Sequence, residues 1–236
     1  MTTQEIKKTA RLVGGLTLLM AVIAIISMIF LPTNLIVPGD ATTTATKIMA
    51  SEGAFRTSIA GNAVILLIEI VLTVMLYVLL KPVNKTLSMI AAFSRLAMTT
   101  IQGINLLNQF FVLLLLSGAG YLTVFEPAQL HALVQLFLNA HEYAILIWGL
   151  FFALHLLGIG YLVYKSGYIP KTLGILLIVS SLCYLIQSFG NIIFPQYKEI
   201  FTTIGFISII ELAFPLWLVI KGVKVEKWEE RVLESA

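Results

Sequence analysis

The stretch Leu87–Leu116, LSMIAAFSRLAMTTIQGINLLNQFFVLLLL, is long enough to cross a membrane, yet it carries Arg95, Gln102, Asn105, Asn108 and Gln109. At 100° per residue, Arg95, Gln102, Asn105 and Gln109 fall within one sector roughly 80° wide. A helix facing lipid all round does not carry such a stripe, because polar groups in hydrocarbon must find partners inside the protein. The stripe therefore predicts a central helix in a bundle, its polar side turned towards other helices.

Working outward, the whole chain fits that reading. Of its 236 residues, 59% are hydrophobic and 11% charged, against about 25% charged in a typical soluble domain. The expected fold class is all-α: a polytopic transmembrane helix bundle forming one integral membrane domain over residues 1–236. The net charge of +3 is small, and the basic residues cluster between apolar runs. They read as topology signals, and nucleic acid is excluded as a partner. Cys183 is the one cysteine, so an intrachain disulfide or a multi-cysteine metal site is impossible, and it reads as a small packing residue. The apolar run Leu12–Leu31 exceeds the roughly 7–15 residues of a signal-peptide core and lacks a following A-x-A site, so it reads as an uncleaved first span.

Spans are expected at about 12–31, 59–80, 87–116, 143–164, 172–194 and 200–220, each reaching the ~20 residues that cross ~30 Å of hydrocarbon. Lysine and arginine set the orientation. With the N-terminus inside, Lys7, Lys8, Arg11, Lys81, Lys85, Lys165, Lys171, Lys221, Lys224, Lys227 and Arg231 are cytoplasmic, and only Lys47, Arg56 and Lys198 are outside. Both termini are thus expected in the cytoplasm. Two outer segments look like short amphipathic helices. One follows Pro38-Gly39-Asp40, and the other, Pro127–Ala140, spaces Leu130, Leu133, Val134, Phe137 and Leu138 helically. Each could lie in the membrane interface or pack as a cap. The tail around Trp228 and Val232 reads as a soluble or interfacial helix end.

An internal repeat is also visible. LLKPVNKTL joins the second and third spans, and YKSGYIPKTL joins the fourth and fifth. Aligning Lys85 with Lys171 relates a hairpin at 40–116 to one at 126–194, in the same orientation. Asn105 then falls on Asn191, and Glu69 on His155. Shared topology alone can also produce similar loops.

Counting 1.5 Å per residue from the cytoplasmic helix ends places Arg95 roughly 12 Å deep, His155 and Glu211 roughly 14 Å, and Glu69 roughly 16 Å. Four ionisable groups on four helices share a layer, and mutual pairing is expected because isolated charges there are costly. Glu69, across a short hairpin, is the simplest partner for Arg95, with Glu211 and His155 forming a second pair or extending the first. The layer is either an internal lock between helices or a working site for a proton or polar ligand. His155 favours the latter because its ordinary pKa lies near neutrality. Pro215 removes the bond to the carbonyl of Glu211 and predicts a kink there. Farther out, Gln102, Asn105, Gln187 and Asn191, with Ser181, Tyr184 and Ser188, suggest a polar seam between the third and fifth spans, serving as glue or as a wet cavity. Gly149-x-x-x-Ala153 marks close packing.

No catalytic motif appears: G-x-S-x-G, H-E-x-x-H and Walker-type loops are absent. Haem ligation by His141 and His155 lacks a matching histidine pair on a second helix. A metal held by His131, His141 and Glu142 lacks a firm spacing. No cofactor or metal is implied. The favoured reading is a small-molecule or ion-handling protein, transporter-like or sensor-like, with the bilayer around it and a ligand at Glu69, Arg95, Gln102, Asn105, His155, Gln187, Asn191 and Glu211. The alternatives are an integral-membrane enzyme acting on a lipid, and a non-catalytic structural or accessory subunit.

VPGDATTTATKIMASEGAFR, YVLLKPVNKTL and GYLVYKSGYIPKTLGILL together resemble the bacterial membrane family known as domain of unknown function 4386, over nearly the whole chain. The resemblance implies a multi-pass prokaryotic membrane protein and carries no activity, substrate or site residues with it.

Overall fold

A computed structural model describes residues 3–235. Among them every regular element is helical. Helix α1 (Thr3–Ala24) continues through a π-helical segment (Ile25–Phe30) into α2 (Leu31–Leu35). Then come α3 (Ala41–Ala50), α4 (Glu52–Leu80), α5 (Lys85–Leu115), α6 (Pro127–Ser166) and α7 (Lys171–Ile193). Helix α8 (Lys198–Phe206), a 3₁₀ stretch (Ile207–Leu212) and α9 (Ala213–Ile220) form the last span, and α10 (Val225–Glu234) closes the chain. Among the described residues six helices are long and apolar enough to cross a membrane. This is a polytopic transmembrane bundle. Leu67, Val74, Phe93 and Ile104 stand exposed on its helices, as lipid-facing residues do.

The ends of the helices differ from the hydropathy reading. The expected span at 59–80 starts seven residues early, at Glu52, because Glu52 pairs with Arg56 at i,i+4 (2.6 Å) and carries the helix through a polar stretch. The second outer helix is present but not separate. It is the start of a 40-residue α6, since Asn139-Ala140-His141-Glu142-Tyr143 holds no glycine, proline or cap to break it. In the last span the distortion expected at Pro215 precedes the proline and takes the form of tight 3₁₀ winding.

The chain divides into two compact units, each drawn from separated stretches. Unit 1 comprises Met1–Leu19, Ile68–Thr99 and Leu146–Ala236; unit 2 comprises Met20–Leu67 and Thr100–Ile145. In unit 2, Leu35, Ile48, Phe55, Ile59, Val112, Leu113, Val134 and Leu138 form one apolar core. Helix α3 buries Ala45 and Ile48, so the two outer segments pack as a cap and do not lie as free interfacial helices. Asp40 caps α3, accepting from the Thr43 amide at 2.9 Å. The π-helical segment frees the carbonyl of Ser27, and Ser58 Oγ on α4 donates to it at 2.5 Å. Gly61 faces Ser27 there, and a Cβ would meet the serine Cβ at 2.7 Å.

In unit 1 the two hairpin loops are tied to the C-terminal helix. The carbonyl of Leu79 accepts from Tyr168 Oη (2.8 Å) and from Trp228 Nε1 (3.0 Å). The amphipathic tail expected around Trp228 is thus docked on the loops, with Trp228 buried. Helices α4 and α6 end at Leu80 and Ser166, and α5 and α7 begin at Lys85 and Lys171. Both pairs of boundaries keep the spacing set by aligning the two lysines.

Candidate functional site

Unit 1 gathers three of the four ionisable residues around Arg95. Glu69 on α4 places Oε2 2.5 Å from Arg95 Nε. His155 on α6 sets Nε2 2.8 Å from the guanidinium Nη1, and its Nδ1 lies 2.9 Å from the carbonyl of Ala91. A carbonyl only accepts and a guanidinium only donates. The imidazole is therefore held in one neutral tautomer, with the proton on Nδ1. His155 was expected to form a second pair with Glu211 or to extend the Glu69–Arg95 pair; it extends that pair, as an acceptor for Arg95. Glu69, Arg95 and His155 are 4%, 4% and 2% exposed, and Phe152 stacks on the imidazole. Thr73 and Thr99, one turn on, donate to the carbonyls of Glu69 and Arg95 at 2.8 Å each. The trio is enclosed, with Glu69 Oε2 and Arg95 Nε meeting as an ion pair that makes no hydrogen bond.

Glu211 is different. It sits half-buried in the 3₁₀ stretch before Pro215. Its Oε1 accepts one long bond from Tyr184 Oη, at 3.4 Å. Its buried Oε2 has no hydrogen-bond partner among the described residues. Arg95 and Glu69 both act on it electrostatically. Ser180 Oγ holds α7 to this stretch by donating to the carbonyl of Ser208 at 3.1 Å.

The seam expected between the third and fifth spans divides differently. On α7, Gln187 lies against Gly205 of α8, where a Cβ has no room. Asn191 Nδ2 donates to the carbonyl of Gln187 at 2.9 Å. Ser181 Oγ donates to the carbonyl of Ala153 (2.7 Å), and Ser188 Oγ abuts Gly149, so the Gly149–Ala153 face does pack closely. These residues belong to unit 1, and their contacts run to α6 and α8. The α5 amides form their own cluster in unit 2. Asn105 Nδ2 reaches Gln102 Oε1 (3.2 Å) and the His141 carbonyl (3.3 Å), and Gln109 Nε2 meets His141 Nε2 at 3.4 Å. Asn108 joins through Asn105.

Sequence reading overlooked Asn62, on α4 in unit 2, which is 1% exposed. An asparagine inside an apolar run was the available signal. His131 meets Thr42 Oγ1 at 3.3 Å. Among the described residues no three His, Cys, Asp or Glu side chains gather as a metal site.

The profile of the family described as "Domain of unknown function (DUF4386)" matches residues 12–222. The chain belongs to the DUF4386 family. A relative in Archaeoglobus fulgidus (strain ATCC 49558 / DSM 4304 / JCM 9628 / NBRC 100126 / VC-16) is 33% identical over 173 residues, covering 72% of this chain and 86% of its own, and is described as "Uncharacterized protein". No solved structure matches. In this DUF4386 protein, Glu211 stands beside Tyr184 and under the charges of Arg95 and Glu69.

Proposed function

We propose that this protein handles a small ligand or ion within the membrane, transporter-like or sensor-like, through reversible uptake of one positive charge at Glu211. The observation that supports it is Glu211 Oε2, buried and without a partner among the described residues. Ionised Glu69 and Arg95 cancel, and His155 is a neutral acceptor, so an ionised Glu211 leaves the cluster one negative charge in excess. An acidic side chain in the middle of a span costs about 3 kcal/mol even on permissive insertion scales. A proton or a monovalent cation removes that charge. Alternation between the occupied and empty states is the chemistry of an ion-coupled carrier or sensor.

The lock reading draws support from the ion pair of Glu69 with Arg95 and the hydrogen bond of Arg95 with His155, and applies to that trio. Glu211 stands outside it. In unbuffered detergent solution, Na⁺ or K⁺ should release protons from the wild-type protein, and Glu211→Gln should abolish the release. Equal release from both, or none from either, would overturn the assignment.

The orientation belongs to the same proposal: a prokaryotic cell membrane, with both termini in the cytoplasm, a side that the lysine and arginine distribution supports. In a Cys183→Ser background, cysteines at the exposed positions Thr46 and Gln129 should react with an impermeant thiol reagent added outside intact cells. One at the exposed Thr86 should not. The reverse pattern inverts the topology.

A further inference from the structure

The amide cluster of unit 2 holds a second set of unsatisfied groups. Among the described residues Asn62 Oδ1, Gln109 Oε1 and His141 Nδ1 are buried and have no hydrogen-bond partner. They come from three successive helices, α4, α5 and α6. His141 and Gln109 touch. Asn62 lies one turn from Leu66 on the same face of α4, and Leu66 is the nearest side chain to Gly103 of α5. Ser58, one turn the other way, reaches the carbonyl of Ser27, so Asn62 lies on the buried face of α4 between its contacts with the π-helical segment and with α5. Asn62 and Gln109 are 1% and 4% exposed, and buried polar groups of this kind call for partners.

We propose that these three residues bind a small uncharged molecule bearing a carboxamide or urea group. The argument is the hydrogen-bond complement. Asn62 Nδ2 donates to the carbonyl of Ser58 at 3.0 Å, which fixes Asn62 Oδ1 as a free acceptor. If Gln109 Nε2 donates to His141 Nε2, then His141 Nδ1 carries its proton and Gln109 Oε1 is the second free acceptor. The ligand must then supply two donors and one acceptor. If the Gln109 amide is reversed, its NH₂ becomes the free donor and His141 Nδ1 the free acceptor. The demand is again two donors and one acceptor, which is what a –CO–NH₂ group offers. Asn62, Gln109 and His141 include no ionised side chain, and Glu142 beside them is exposed, so a charged ligand would enter without a buried counter-charge. This site uses none of the residues around Glu211, and either proposal can fail alone.

Acetamide is the probe. With ¹⁵N-histidine-labelled protein in nanodiscs, acetamide should shift the His141 Nδ1 resonance saturably and leave that of His155 unmoved, assignments being made with His141→Gln. The double variant Asn62→Leu/Gln109→Met should weaken this binding about tenfold or more, each lost hydrogen bond being worth up to about a tenfold change. Acetate and methylammonium, charged molecules of similar size, should not displace acetamide. No saturable shift in the wild type, unchanged affinity in a double variant that keeps its helical circular dichroism, or displacement by either ion would overturn the proposal. Should the double variant fail to fold, the wild-type titration and its two ionic competitors decide alone.

Discussion

The charged cluster of unit 1 and the amide cluster of unit 2 satisfy their polar groups to different degrees. Around Arg95 each ionisable side chain has a charged or hydrogen-bonded neighbour: Glu69 Oε2 and Arg95 Nε face each other as an ion pair without a hydrogen bond, and the guanidinium, the imidazole and the carbonyl of Ala91 follow in a hydrogen-bonded row. Around Asn105 several amides are bonded, yet three buried atoms nearby are left open among the described residues. Magnitudes account for the contrast. Breaking a buried ion pair from one side costs about 3–5 kcal/mol, whereas an unsatisfied neutral group costs about 1–3 kcal/mol. A fold can carry a few of the latter where a ligand or water supplies the bond. Glu211 resembles the amide cluster more than its charged neighbours, being acidic but incompletely bonded. On the proposed reading the exchangeable chemistry lies at the open groups, and the closed ones hold the helices together.

The largest effect tests the closed cluster. Glu69→Leu should strand Arg95 and destabilise the folded protein by about 3–5 kcal/mol, read from reversible unfolding in mixed micelles. Glu69→Leu/Arg95→Met should recover most of that loss, because no lone charge remains buried. If the double variant is as unstable as the single one, the pair does more than neutralise itself.

The open cluster should respond in the opposite sense. Asn62→Leu removes an orphaned acceptor and gives up only the bond to Ser58, so stability should change by no more than about 1 kcal/mol. A loss approaching that of Glu69→Leu would mean that Asn62 is fully satisfied in the folded protein, and the contrast between the units would collapse.

The smallest effect lies outside the spans. The side-chain and backbone hydrogen bonds from Thr43 hold the Asp40 carboxyl below its usual range. A carboxylate whose pKa is lower folded than unfolded stabilises the fold above its unfolded value, and that contribution is lost as the pH falls through the folded value. The Thr43 amide should therefore exchange faster with solvent as acid is added through that window. Asp40→Ala should exchange fast throughout and lose the dependence.

Much of the fold was legible because hydropathy and length fix membrane spans independently of tertiary detail. The helix ends were not, since Glu52–Arg56 pairing and the lack of a breaker between Asn139 and Tyr143 extend α4 and α6 beyond their apolar runs. The Glu69–Arg95 pair followed from a short antiparallel hairpin, where register leaves few choices. The partners of His155 and Glu211 stayed open between a second pair and an extension of the first. They depend on how α6, α7 and the 3₁₀ stretch turn about their own axes, which spacing along one helix does not determine. Asn62 was masked by its own surroundings, as hydropathy over an apolar run hides one amide whose importance lies in what faces it.

The central claim is that Glu211, and not His155, is the group that gains and loses charge. Difference infrared spectroscopy between high and low pH tests it directly in lipid-reconstituted protein. The account predicts a protonated-carboxyl C=O band on acidification, suppressed by Na⁺ or K⁺, absent in Glu211→Gln and retained in His155→Gln. A band that survives in Glu211→Gln, or an imidazole protonation signal lost in His155→Gln in its place, would contradict it.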